Sequence, residues 1–543
     1  MEAEEAAGPD VAGLAARLAA LEQAHAALRE TLARTEAERE QYRTLYVSLV
    51  EAYEKLKRGL LGQKAERLPA DDRQLTLALL TALLEAAGAD PAPPTQPVRA
   101  HARTKPVGRK PLPAHLPRVD VELVPLAVQQ QGLAQFERIG EEVSEVLERR
   151  PASAVVVRVI RPKFVPKARR RTEPTAVWIA EPAELPIERG RAGPGLLADT
   201  IVRRWQDHQP LHRLEGIYAR DGIALARSTV CGWHGELAAL ARPLVEAMRA
   251  EALQQPYLCT DATGVLVQAK EKCRTGHFWV LVAPALHVLF GYSPRHDRAG
   301  VDQLLAGYEG YLVADAHAVY DHLYADGHVV EVGCWAHQRR YLFKTLASEP
   351  ERAREGLAMI GALFQIERTL ATASRPHREA VRQEQSRPIV DRFFTWCDGL
   401  VASALDDTPL AKAIGYARNQ RDALRRFLDD GRLPLHNNAS ELQLRREVLG
   451  RRNWLFVGSD EAAEVNTTFV SLLASCGLHR LEPWAYLRDL LCLLPGWPRS
   501  RVLQLAPAHW KQTREDPDTQ RRLAANPFRA ATLALDRPHR DTG

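Results

Sequence analysis

The chain has 543 residues, 45% hydrophobic and 26% charged, and its 73 basic and 68 acidic residues leave a formal charge of +5. That length and apolar content provide for several domains with their own cores. The acidic start MEAEEAAGPD excludes a basic and apolar signal peptide, and the apolar stretch 278–292 is broken by Pro284 and His287 and is too short to span a bilayer. The seven cysteines at 231, 259, 273, 334, 397, 476 and 492 form no CxxC pair, which reads as reduced thiols in a soluble cytoplasmic protein.

Residues 1–68 carry a seven-residue register. One line is Leu14, Leu21, Leu28, Thr35, Tyr42, Leu49 and Leu56, and the other is Leu18, His25, Leu32, Arg39, Tyr46, Tyr53 and Leu60. Seven such heptads predict a coiled coil and hence a homo-oligomer; a lone amphipathic helix folded back on the core is the alternative. Residues 69–120 read as a helix followed by a proline-rich basic linker containing PAPPTQP and TKPVGRKPLP, with Lys105, Arg109 and Lys110 able to touch phosphate.

Residues 121–190 read as a small β-rich module. From 149 to 171 there are basic residues at 149, 150, 158, 161, 163, 167, 169, 170 and 171 and no acidic one. Arg158, Arg161, Lys163, Lys167, Arg169, Arg170 and Arg171 are therefore candidates for a DNA-backbone strip, against the plainer reading of a solvated face. Residues 191–250 read as helical: 212–220 form one helix, Asp221-Gly222 a turn, and Ser228 caps a second helix containing Val230 and Trp233. That is the outline of a helix-turn-helix, although any helical hairpin fits it.

Over 251–342, strands are predicted at 257–260, 265–268, 278–282 and 287–292, then a helix at 301–305 and a strand at 310–314. Asp261 closes the first strand and Asp315 the last. After a short strand at 329–332 comes Cys334-Trp335-Ala336-His337, half of a zinc-ligand pattern with no second close pair. Residues 343–431 are helical throughout, with Thr408-Pro409 starting one helix and Gly431 ending it. In 432–512, the stretch LHNNASELQLRREVLGRRNWLFVG starts at Leu435; Asn437 and Asn438 cap a helix, Glu441 lies in its first turn, and Arg445 follows on the same face. A glutamate there is ordinary dipole compensation by itself. Two aspartates at strand ends and one carboxylate on a later helix, however, are how a site for two Mg²⁺ ions is built. The charged tail, 513–543, is expected to be disordered.

Five ordered blocks resemble transposases of the IS66 type, which are DDE recombinases. They are Asp261-Ala262-Thr263-Gly264, the six residues from Asp315 to Tyr320, the seven from Cys334 to Arg340, Asn437-Asn438 with Glu441, and GRRNWLF from Gly450. The resemblance implies an α/β ribonuclease-H-like catalytic core in which the first and fourth strands lie side by side, with an all-α insertion before the glutamate helix. It implies that Asp261, Asp315 and Glu441 hold two Mg²⁺, with Mn²⁺ as a substitute, for nicking element ends and joining them to target DNA. It implies Arg339, Arg340, Arg445, Arg451 and Arg452 as phosphate holders, Asn437 and Asn438 as supports for Glu441, Trp335 in the core and His337 facing the site or DNA. Its partners would be terminal inverted repeats, target DNA and accessory proteins of the same element, at the nucleoid when bound. No zinc is expected, because in the family's zinc module the cysteine positions here read Val128-Gln129-Gln130-Gln131-Gly132 and Val165-Pro166-Lys167-Ala168-Arg169-Arg170. Ala262, His436 and Leu442 stand where the family often has glutamate, aspartate and arginine. A catalytically inactive DNA-binding derivative and a ribonuclease-H-type nuclease remain as rival readings.

Overall fold

A computed structural model describes residues 19, 21–37, 39–41, 43, 112–114, 116–150, 153–167 and 177–534. Most heptad positions, the proline-rich stretch and Arg169, Arg170 and Arg171 lie outside these. The chain forms two compact units, one made of 1–105, 337–373 and 380–421, the other of 106–336, 374–379 and 422–543.

The second unit contains two sheets. The smaller has β1 (Arg118–Glu122), β2 (Phe136–Arg150) and β3 (Ser153–Pro166) in the order β1-β3-β2. Val155, Val157 and Val159 alternate along β3 and bury one face with Val146, Phe528 and Ala531. This corrects the expectation of a disordered tail. Helices Trp510–Glu515, Pro517–Ala525 and Pro527–Ala534 continue to residue 534, because Asp516 caps one of them by accepting from Thr519 N (2.9 Å) and Leu523 and Phe528 supply buried anchors.

The larger sheet has β4 (Tyr257–Val267), β5 (Arg274–Ala283), β6 (His287–Ser293), β7 (Gly310–Val313) and β8 (Val329–Val332), in the order β6-β5-β4-β7-β8. The first three are antiparallel; β7 and β8 run parallel to β4. Where two strands were expected, at 257–260 and 265–268, the structure has the single strand β4. Asp261 therefore sits inside a strand and does not close one. The ladder with β5 runs unbroken from Cys259↔Val282 to Val267↔Arg274, and Gly264 stays extended beside Thr275 and His277.

Around the sheets, α1 (Pro194–Ile201) starts over the buried Glu148, whose Oε1 accepts from Leu196 N at 2.6 Å. The hairpin is α2 (Leu211–Arg220) and α3 (Arg227–Ala252), joined through Gly222 at φ +72°. Ser228 is not the cap: Ala226 holds the extended cap backbone and Ser228 lies inside the first turn. The free edge of β6 is covered by α4 (Asp460–Leu478). Ser475 Oγ accepts from Val288 N at 3.0 Å and donates to Val288 O at 3.1 Å, and Ser471 Oγ accepts from Phe290 N at 2.8 Å. Hydroxyls thus satisfy an edge that would otherwise be open to pairing.

The other unit is helical. Helices Pro350–Thr369, Arg387–Leu400 and Pro409–Asn419 bury Ile360, Leu363, Val390, Phe393, Phe394, Leu410 and Ile414. Fully buried Arg382 holds Glu367 through two bonds of 2.7 Å. Thr408 caps the last helix, accepting from Ala411 N at 3.2 Å. In its N-terminal helix, Leu21, Leu28 and Leu32 are exposed, while Arg43 Nη2 lies 2.6 Å from Glu349. Residues 374–379 and 422–431, expected within the helical insertion, belong to the sheet unit. No helix among the described residues is long and apolar enough to cross a membrane.

Candidate active site

β4 and β7 are registered Tyr257↔Tyr311, Leu258↔Leu312 and Cys259↔Val313. Two residues beyond the last registered pair come Asp261 on β4 and Asp315 just past the end of β7, so the register carries both toward one level on neighbouring segments. Both are half-buried, and Asp261 Oδ1 accepts from Ala262 N at 2.7 Å. Two like charges so close call for a cation.

Glu441 is delivered by the helix Asn438–Trp454, the site helix. Three residues pin it to β4. At its start, buried Asn437 donates from Nδ2 to Thr260 O at 2.8 Å; late in its course, Arg451 donates to Thr263 Oγ1 at 2.9 Å and to the Gly264 carbonyl; just past its end, Val457 N donates to Leu266 O at 2.9 Å. Seventeen helical residues span about 25 Å. The seven steps from Thr260 to Val267 span about 23 Å. The site helix therefore runs along β4 in the same direction, and Glu441, about 6 Å along it, comes level with the aspartates. The expectation that the asparagines cap this helix is corrected. Asn437 makes no side-chain cap bond because its amide is turned onto the strand; His436 Nδ1 accepts from Asn438 N at 3.3 Å instead.

Asn437 is also held through its backbone. Its N–H donates to Cys334 Sγ at 3.2 Å, and its carbonyl accepts from Ser440 Oγ at 2.9 Å and Glu441 N at 3.3 Å, while its Oδ1 is buried without a hydrogen-bond partner. Trp335 is fully buried, donating from Nε1 to Leu424 O at 2.8 Å and from its N–H to Leu435 O at 3.1 Å, so the segment before the site helix hangs on this indole.

Sequence reasoning did not single out the ring cluster beside Asp315. Tyr320 is buried, bonded to Thr260, and its phenol is pushed far up by burial and by the Asp315 charge. Its ring meets Trp279 edge-on at 6.2 Å. His296 stacks on Trp279 at 4.9 Å and touches His317 (4.5 Å) and His277 (4.8 Å). Burial lowers the His296 pKa, His317 adds to this, and Asp315 opposes it. The signal available was the short spacing of His317 and Tyr320 from Asp315.

The other candidates fall elsewhere. On the site helix, Glu441, Arg445 and Arg452 share a face within about 40°, and both arginines are exposed. On the smaller sheet, register sets the basic residues beside acids: Arg158 lies 3.2 Å from Asp120, and Glu142 takes Arg161 at 2.6 Å and Lys163 at 3.0 Å. The strip without acids in sequence is thus compensated across the ladder. Lys167 is exposed. His337, Arg339 and Arg340 belong to the helical unit, where both arginines are exposed.

With this geometry in hand, comparison with known proteins adds a family. A family model described as Transposase IS66 family matches residues 189–465, a span containing all three carboxylates, and one described as Transposase C of IS166 homeodomain matches 48–121. Three uncharacterized proteins of Sinorhizobium fredii (strain NBRC 101917 / NGR234) are similar along most of their length. y4hP is 31% identical over 500 residues, covering 86% of this chain and 89% of the relative. y4qI is 28% identical over 532 residues (92% and 96%), and y4jD 30% identical over 426 (74% and 81%).

Proposed function

The chain belongs to the IS66 transposase family, and from that premise we propose that it is the DDE transposase of an insertion sequence, cleaving element ends and transferring them to target DNA at Asp261, Asp315 and Glu441. The observation that supports this reading is the parallel β4–β7 register, which runs into Asp261 and Asp315 on neighbouring segments, together with the Asn437 bond to Thr260, which ties the start of the Glu441 helix to the residue before Asp261. The strand order β6-β5-β4-β7-β8, with the sheet's first and fourth strands adjacent, supports a ribonuclease-H-like core.

The residues fit a divalent metal pair. The three ligating groups offer only oxygen, as Mg²⁺ or Mn²⁺ requires, and the buried Asn437 Oδ1 is a further oxygen without a partner. Asp261, Asp315 and Glu441 would hold the ions, which when bound supply an activated attacking oxygen and neutralise the phosphate. The protein's own work is placement. Asn437 fixes the entry of the site helix, and Arg451 holds its later turns to β4. Arg445 and Arg452, on the Glu441 face, are exposed and suited to hold DNA phosphates; Arg339 and Arg340, exposed on the helical unit, are proposed as further phosphate contacts. The region matched at 48–121 is proposed to recognise the terminal inverted repeats. Exposed Leu21, Leu28 and Leu32 support self-association through a coiled coil.

The test is cleavage and joining of labelled DNA carrying the element's own ends, with Mg²⁺ or Mn²⁺, comparing the parent with Glu441→Gln and supplying accessory proteins of the element in a parallel series. Joined product from the parent alone is expected. End binding without cleavage in every series would replace this reading with a non-catalytic DNA-binding protein, and cutting of RNA:DNA hybrids without joining would replace it with a nuclease.

A further inference from the structure

Away from the carboxylates, three side chains from distant parts of the sequence converge. Glu251 is in the last turn of α3, His287 opens β6, and His509 immediately precedes helix Trp510–Glu515. His287 Nε2 lies 2.7 Å from Glu251 Oε2, and His509 Nε2 lies 3.0 and 2.9 Å from the two Glu251 oxygens. One ligand atom from each residue falls within 4.8 Å of the others. We propose that Glu251, His287 and His509 form a structural site for a zinc-type divalent ion, separate from the catalytic carboxylates.

The donor set decides the class of ion. Two imidazole nitrogens and one carboxylate suit a borderline-soft cation that accepts four-coordinate geometry, whereas the all-oxygen set at Asp261, Asp315 and Glu441 suits a hard one. Metal–ligand bonds of 2.0–2.2 Å in a tetrahedron separate the ligand atoms by about 3.3 Å. The present N···O spacings must therefore open by only a few tenths of an ångström as the ion replaces the bridging protons. The side chains that must move can do so. His287 is fully buried and supplies a fixed anchor, while the side chains of Glu251 and His509 are 26% and 33% exposed, leaving a path for the ion and a fourth position for water. By strand spacing, His287 is roughly 14 Å from Asp261, two strands across and three residues along the sheet.

The ion would act as a clamp. It would join the end of α3, the start of β6 and the segment leading into the C-terminal helices, drawing the last part of the chain onto the larger sheet. The missing cysteine pairs of the β-rich module have no bearing on it, because none of its ligands comes from there. The proposal does not depend on the catalytic reading.

The experiment uses the full chain without a histidine tag, stripped by chelator and reloaded with Zn²⁺ or Co²⁺. Expected are one zinc per chain by elemental analysis, the visible absorption of four-coordinate Co²⁺, and a Tm that rises on adding zinc. His509→Ala and Glu251→Gln should abolish all three, and Asp261→Asn should keep them. His509 is partly exposed, so its replacement keeps the test open should Glu251→Gln fail to fold. Failure of the parent to hold zinc, or an equal zinc content and Tm rise in His509→Ala, overturns the proposal.

Discussion

Asn437 is where stability and catalysis can be separated. Replacing it with alanine deletes the bond to Thr260 O and leaves that carbonyl without its side-chain donor. Leaving a buried group unpaired costs about 1–3 kcal/mol, and a loss in that range is expected. Thermal unfolding should report this as a Tm lower by several degrees. The effect on chemistry should be larger than that loss implies. Glu441 sits about 6 Å along the helix from Asn437, and a displacement of about 1 Å at a reacting centre can cost about 100-fold in rate. Strand transfer on end-bearing DNA should fall by about that factor while end binding by mobility shift stays near the parent value. Asn437→Asp cannot donate either, and it turns a carboxylate oxygen toward the Thr260 carbonyl, so it should not restore activity. Wild-type transfer and an unchanged Tm in Asn437→Ala would refute the reasoning.

Three further outcomes follow from the packing. A Cβ on Gly195 would overlap the Arg149 carbonyl oxygen and come within 2.6 Å of Glu148 Oε1; Gly195→Ala should cost about 1–3 kcal/mol, read as a lower denaturant midpoint. Burial pushes the Glu447 carboxyl from 4.5 up to about 7, against the nearby Asn466, Arg204, Arg451 and Arg446. The folded chain then keeps a proton that the unfolded chain releases, so the stability from this group is complete below pH 4.5 and is lost as pH rises to about 7. The gap is worth about 3 kcal/mol, and Glu447→Gln should flatten the fall in Tm across that window. Trp335→Phe removes the donor to Leu424 O and should cost about 1–3 kcal/mol, measurable by chemical denaturation.

The carboxylates, their order and the helix bearing Glu441 were legible in the sequence because local patterns carry them. Apolar runs ended in turn residues, polar residues preceded a helical stretch, and five ordered motifs resembled one family. Tertiary structure decided what those residues touch. Asp261 lies within a strand because β5 pairs straight through Thr263 and Gly264. Asn437 turns its amide away from the helix because Thr260, 177 residues earlier, offers a carbonyl. Arg158, Arg161 and Lys163 meet Asp120 and Glu142 only through strand register, and the charged C-terminal stretch is ordered because Phe528 and Ala531 find a valine face far back in the chain. Glu251, His287 and His509 have no sequence spacing that announces them. Helical and strand periods are set by nearest neighbours along the chain, whereas charge pairing, side-chain direction and ligand convergence depend on partners that only folding brings close.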